Sequence, residues 1–189
     1  KFDHSEYLFD LLESKPNGRL LSYNPATGKT KVLVEELYFA NGVALSQQEN
    51  FVLVNETYRY RIVRYWLKGP KTGTSDIFID NLPGFPDNIS SNGQGTFWLA
   101  MFTVRNELMD NLHPYPFLKS QMSKLPKAFW PKPKPYGIVL ALNEQGKITQ
   151  SLQDPSGKHL KEITSAQEVD GYLYLGSLHN DRIGMYQLP

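Results

Sequence analysis

Phe39-Ala40-Asn41-Gly42-Val43-Ala44-Leu45-Ser46 decides the fold, because its frame returns further along the chain. Pro86-Asp87-Asn88-Ile89-Ser90-Ser91 repeats it, and Val43 and Ile89 stand 46 residues apart. In both places a polar turn follows, Gln47-Gln48-Glu49-Asn50 and then Asn92-Gly93-Gln94-Gly95, before an apolar run. A third copy, Ile163-Thr164-Ser165-Ala166-Gln167-Glu168, turns at Val169-Asp170-Gly171 into Tyr172-Leu173-Tyr174-Leu175. A period in the forties with several short strands per unit signals an all-β chain built as a β-propeller. The innermost strands of a propeller converge on one axis. Polar residues at equivalent strand starts therefore meet there.

Outward from these frames, the remaining strands follow from turn chemistry. Gly42 to Ser46, Phe51 to Glu56, Arg61 to Leu67 and Ser75 to Asp80 make one complete four-stranded blade. Before it, Arg19 to Asn24 and Thr30 to Glu36 flank the Pro25-Ala26-Thr27-Gly28 turn and read as half a blade. The next unit opens at Asp87 and Asn88, runs through Phe97 to Phe102, and resumes at Gly137 to Asn143 and Lys147 to Gln153. Between its halves, Thr103 to Pro135 holds six prolines and a helix-compatible stretch, Phe117 to Phe129. A connection this long reads as a lid or binding loop. Removing roughly thirty inserted residues restores a spacing in the mid-forties. Ile163 to Gln167, Tyr172 to Ser177 and Arg182 to Leu188 form a last, three-stranded unit. A short helix is expected over Glu6 to Ser14, capped by Ser5, with Tyr7, Leu8, Leu11 and Leu12 on one face.

Residues 1–189 thus read as one partial propeller domain of about three and a half blades, interrupted at 103–135. That is too few blades to close a ring. The expected consequence is pairing with another chain or with further blades, since open edges invite strand addition.

Composition narrows the function. With 20 basic and 19 acidic residues the net charge is +1, which implies no polyanion partner and no nucleic acid. No cysteine is present, so disulfides, thiolate metal sites and a cysteine nucleophile are excluded. No run reaches the ~18 apolar residues of a membrane span, and no signal peptide is visible, which suits a soluble chain. The Asn55-Glu56-Thr57 and Asn88-Ile89-Ser90 sequons matter only in a secretory compartment. His4, His113, His159 and His179 match no zinc spacing, and the serines lack a nucleophile elbow.

Asn41, Asp87 and Asn88 are the candidate metal ligands. Their oxygens are hard donors suited to calcium, which takes about six to eight oxygens. The alternative is that they are turn formers that bond their own backbone. Asp87 is also the candidate catalytic residue, and Phe102 and His179 are candidates for contacting a small-molecule substrate. Glu168, ahead of Asp170-Gly171, reads as turn-associated.

Several separated motifs resemble the strictosidine-synthase-like family. They are Leu8-Phe9-Asp10-Leu11-Leu12-Glu13, Asn17-Gly18-Arg19-Leu20-Leu21, Phe39-Ala40-Asn41-Gly42-Val43, Arg61-Ile62-Val63-Arg64-Tyr65-Trp66-Leu67, Pro86-Asp87-Asn88-Ile89 and Asp170-Gly171-Tyr172-Leu173-Tyr174-Leu175-Gly176-Ser177. The resemblance implies a six-bladed propeller related to paraoxonases and gluconolactonases, of which this chain would be the C-terminal part. It also implies an axial calcium ion, with Asn41, Asp87 and Asn88 on ligand positions and the other ligands on blades before Lys1. In strictosidine synthase proper, a glutamate four residues before the position of Glu168 moves the protons of amine–aldehyde condensation. Here that place is Thr164, which offers no carboxylate. The resemblance therefore points to a calcium-assisted lactonase or arylesterase. A condensing lyase and a non-catalytic scaffold are the alternatives.

Overall fold

A computed structural model describes residues 7–112, 114–122, 124–126, 130 and 133–189. His4, Ser5, Glu6 and His113 lie outside them, as do residues 123 and 127–129 of the expected insertion helix.

Thirteen strands fall into four antiparallel sheets among the described residues. β1 (Gly18–Asn24) and β2 (Lys29–Leu37) form the first. β3 (Ala40–Leu45), β4 (Phe51–Glu56), β5 (Arg61–Trp66) and β6 (Ser75–Ile79) form the second, in sequence order. β7 (Gly84–Ser91), β8 (Thr96–Val104), β9 (Gly137–Asn143) and β10 (Ile148–Asp154) form the third. β11 (Ile163–Val169), β12 (Tyr172–Ser177) and β13 (Gly184–Gln187) form the fourth. This is the meander of a propeller blade, repeated.

Burial explains why the middle strands show no clean alternation. Every residue of β4 is buried. Phe51 and Leu53 enter a core shared with the third sheet, whereas Val52 and Val54 enter a core shared with the first. β8 repeats the arrangement: Phe97, Leu99 and Met101 face the second sheet, and Trp98 and Ala100 face the fourth. Both faces of a middle strand are thus interior, so both parities are apolar. Leu53 and Leu99 are fully buried, each stabilising the packed sheets by about 1.5–3 kcal/mol.

The insertion helices, but not α1, depart from expectation. α1 spans Tyr7–Glu13, close to the reading. The insertion carries α2 at Glu107–Leu112 and α3 at Pro116–Met122, starting ahead of Phe117 to Phe129. The cause is capping. Asn106 Oδ1 accepts the N–H groups of Leu108 and Met109 at 3.0 and 3.2 Å, and Pro116 takes the first helical position. Leu12, Met109 and Trp130 pack together, and Phe9 meets Trp130 edge-on at 5.2 Å between centroids, so α1 and the insertion share a small core.

Candidate functional site

The three candidate ligands lie inside strands rather than before them, which corrects the sequence reading. Each occupies a β-bulge. In β3, Ala40 pairs with Glu56 and the next pair is Val43 with Val54, so Asn41 and Gly42 together oppose Asn55. In β7, Pro86 pairs with Met101 and Ile89 with Leu99, so Asp87 and Asn88 together oppose Ala100. In β11 the register slips again between Ile163 and Ser165, at Thr164. A bulge frees backbone groups from the ladder and re-aims side chains. The same device therefore sits in all three inner strands at one height.

Gly42 lets neighbouring bulges touch. A β-carbon placed there would lie 2.5 Å from Asn88 Cα and 2.7 Å from the Asp87 carbonyl oxygen. Thr57 bridges the two blades. Its Oγ1 donates to the Pro86 carbonyl at 2.7 Å and accepts from Asn41 Nδ2 at 3.3 Å. Asn55, fully buried, donates Nδ2 to the Asp87 carbonyl at 2.6 Å. Asn88 Nδ2 donates to Thr164 O at 2.7 Å and to Asp87 Oδ1 at 3.2 Å. Neither Asn55 nor Thr57 is visible as a site residue in isolation. The signal is the polar run Asn55-Glu56-Thr57 ending a strand with no exposed position.

The electrostatics favour a cation. Burial pushes the Asp87 carboxyl up to about 6, against a lowering by the Asn41 side-chain hydrogen bond. Both asparagines spend their amide N–H groups on neighbours, and no donor reaches either Oδ1 among the described residues. Asn55 Oδ1 is likewise unpartnered. The cluster thus pools acceptor oxygens around one carboxylate, the chemistry of a hard divalent ion. Among the described residues no three His, Asp or Glu side chains come together. The donor set fits calcium through amide oxygens and Asp87, with one formal negative charge.

The other candidates make no hydrogen bond to Asn41, Asp87 or Asn88 among the described residues. Phe102 is partly buried against the core between the second and third sheets. His179 follows β12 and its Nδ1 meets Glu162 Oε2, a partner the sequence reading missed. Glu168 is more than a turn residue: Oε2 accepts from Trp98 Nε1 at 2.5 Å and Asn92 Nδ2 at 3.0 Å, tying two blades together. Asn55, with no exposed surface, is not a glycan acceptor in the folded chain.

No helix among the described residues is long and apolar enough to cross a membrane. The protein-family model described as Strictosidine synthase matches residues 1–70. Adipocyte plasma membrane-associated protein of Rattus norvegicus is 40% identical over 189 residues, covering 95% of this chain and 50% of that protein. Strictosidine synthase-like 10 of Arabidopsis thaliana is 35% identical over 194 residues, covering 100% of this chain and 52% of that protein. The chain spans about half the length of the curated relatives it matches. Among solved structures, a gluconolactonase of Xanthomonas campestris superposes with a TM-score of 0.60 at 13% identity, over 90% of this chain and 44% of that one. The calcium-binding protein regucalcin of Agrobacterium tumefaciens gives 0.58 at 15% identity, over 88% and 46%. At such identities the likeness establishes the fold. In sequence this chain is similar to strictosidine-synthase-like proteins, and its fold is that of a β-propeller.

Proposed function

We propose that the chain supplies part of a calcium-assisted hydrolase site for lactones or aryl esters. The observation that carries this reading is the pooling of acceptors by Asn41, Asp87 and Asn88 at touching bulges. Asn41, Asp87 and Asn88 would hold the ion, which supplies charge stabilisation to a carbonyl oxygen when bound. Thr57 and Asn55 keep the ligand backbones in register. The 103–135 insertion would serve as the substrate lid, and its two ends are joined by Thr103 Oγ1, which donates to Lys134 O at 2.9 Å. Two fold neighbours, a gluconolactonase and a calcium-binding protein, agree with this chemistry. Amine–aldehyde condensation is disfavoured, because Thr164 offers no carboxylate where the resemblance calls for a glutamate.

Calorimetric calcium titration tests the reading, together with phenyl acetate and δ-valerolactone hydrolysis before and after chelation. Calcium uptake that disappears in Asp87→Ala, with hydrolysis lost on chelation, is the expected result. Hydrolysis indifferent to chelation removes the metal from the reaction.

A second reading, an interaction scaffold, draws on the outer sheets. Ile183 and Met185 are 77% and 65% exposed at the last sheet, and Tyr23 is 63% exposed at the first. Apolar residues on unpaired sheet edges favour strand addition by further blades or a second copy. Light scattering on residues 1–189 should report self-association. A monodisperse monomer would sink this reading.

A further inference from the structure

Glu162 and His179 form a carboxylate–imidazole pair that the calcium cluster does not use. Glu162 immediately precedes β11, is buried, and has φ +51. That left-handed backbone costs a non-glycine residue about 1–2 kcal/mol. The surroundings hold it there: its N–H donates to Tyr136 O at 3.1 Å, and its carbonyl accepts Leu178 N–H at 3.2 Å. The carboxylate is thereby turned under the loop after β12, where Oε2 meets His179 Nδ1. Ser177 Oγ and Asn180 Nδ2 both donate to the Lys161 carbonyl at 2.8 Å, fixing the loop on either side of the imidazole. His179 Nε2 has no partner among the described residues, on a side chain 59% exposed. The other charged groups of this corner are Lys161, Asp181 and Arg182, and Arg182 is engaged with Asp181 at 2.8 Å. Glu162 stands two residues before Thr164, whose carbonyl receives Asn88. The pair therefore lies one blade on from Asp87, at the same end of the inner strands.

We propose that Glu162 is a positioning residue that fixes His179 as the Nδ1–H tautomer, leaving Nε2 as general base at the mouth. A buried carboxylate behind an accessible imidazole sets which nitrogen carries the proton. For its substrates, esters and lactones, the proposal rests on the hydrolase reading above. Nε2 accepts a proton from water as the water oxygen bonds to the carbonyl carbon. The imidazolium returns that proton to the departing alkoxide oxygen as the carbon–oxygen bond breaks. Ester and water become acid and alcohol with nothing left over.

Two measurements decide it. Nitrogen-15 NMR of the His179 ring at about pH 8, where histidine is ordinarily neutral, should show Nδ1–H in the parent. Glu162→Gln, which keeps an acceptor oxygen, should retain it, and Glu162→Ala should revert to the mixture of free imidazole. An Nε2–H parent ring, or one unchanged in Glu162→Ala, overturns the positioning role. With calcium present, His179→Gln should lower kcat for phenyl acetate about 100-fold, and Glu162→Ala about tenfold, at unchanged KM. Parental rates in a folded His179→Gln overturn the base role. A parent that hydrolyses neither phenyl acetate nor δ-valerolactone removes the hydrolase reading and the base role with it. The tautomer spectrum would still decide what Glu162 does.

Discussion

Gly42 and Asn88 touch backbone to backbone across two blades, with 2.5 Å between an added β-carbon and Asn88 Cα. No side chain fits between the two inner strands at this height. Gly42→Ala must push the bulges apart or distort them, at about 1–3 kcal/mol. Denaturant titration should show that loss, and calcium affinity should fall with it, because Asn41 and Asp87 are carried on the two displaced segments. Parental stability in Gly42→Ala would mean the strands are not held this close.

Asp87→Asn separates charge from shape. The amide keeps an oxygen in place but removes the one formal negative charge among the three candidate ligands, so calcium affinity should drop steeply. Folding should not suffer. Burial disfavours the Asp87 carboxylate in the metal-free chain, so the neutral amide is at least as stable there. Terbium luminescence and thermal melts in chelator check the two halves. Unaltered lanthanide binding would exclude Asp87 as a ligand.

Much of the fold was legible because turn residues punctuate the strands. Phe51–Glu56, Gly137–Asn143 and Tyr172–Ser177 have the ends the sequence indicated. The bulges were not legible, since an extra residue in a strand leaves no compositional mark beyond Gly42. They moved Asn41, Asp87 and Asn88 from strand approaches into the strands. Glu162 was hidden for another reason. Its partner His179 is 17 residues away, and a left-handed glutamate has no sequence signature. The insertion helices begin ahead of Phe117 because Asn106 caps α2 and Pro116 opens α3.

Tyr60 ties the insertion to the second blade. Its hydroxyl donates to Asp110 Oδ1 at 2.8 Å, Arg105 Nε reaches Asp110 Oδ2 at 2.9 Å, and the guanidinium lies 4.3 Å from the Tyr60 ring centre. Burial, then the Asp110 hydrogen bond and charge, hold the phenol protonated far above its ordinary range. Tyr60→Phe removes one bond and leaves a carboxylate short of a donor, a loss of about 1 kcal/mol. Hydrogen exchange should quicken in α2 and leave β4 and β9 unchanged. Uniform quickening would place the Tyr60 contribution in the blades.

Asp154 gives the clearest acid response. Its Oδ1 accepts from Ser156 Oγ at 2.7 Å and from the N–H groups of Ser156 and Gly157, both at 3.1 Å. Oδ2 accepts from the N–H groups of His159 and Leu160 at 2.9 and 3.3 Å. These bonds, the Ser156 hydroxyl first, hold the carboxyl down at about 2. They also fix Leu160, whose side chain packs on Gly184 of the last sheet. A depressed carboxylate stabilises the fold above its unfolded pKa of about 4, and that contribution fades as pH falls toward the folded value. Asp154→Ala should therefore be less stable than the parent at neutral pH, by about 1 kcal/mol as for a lost capping side chain. The gap between the two should close between about pH 4 and pH 2. Denaturant titrations across that range measure it. A gap of constant size would mean that Asp154 is not bonded to this loop as a carboxylate.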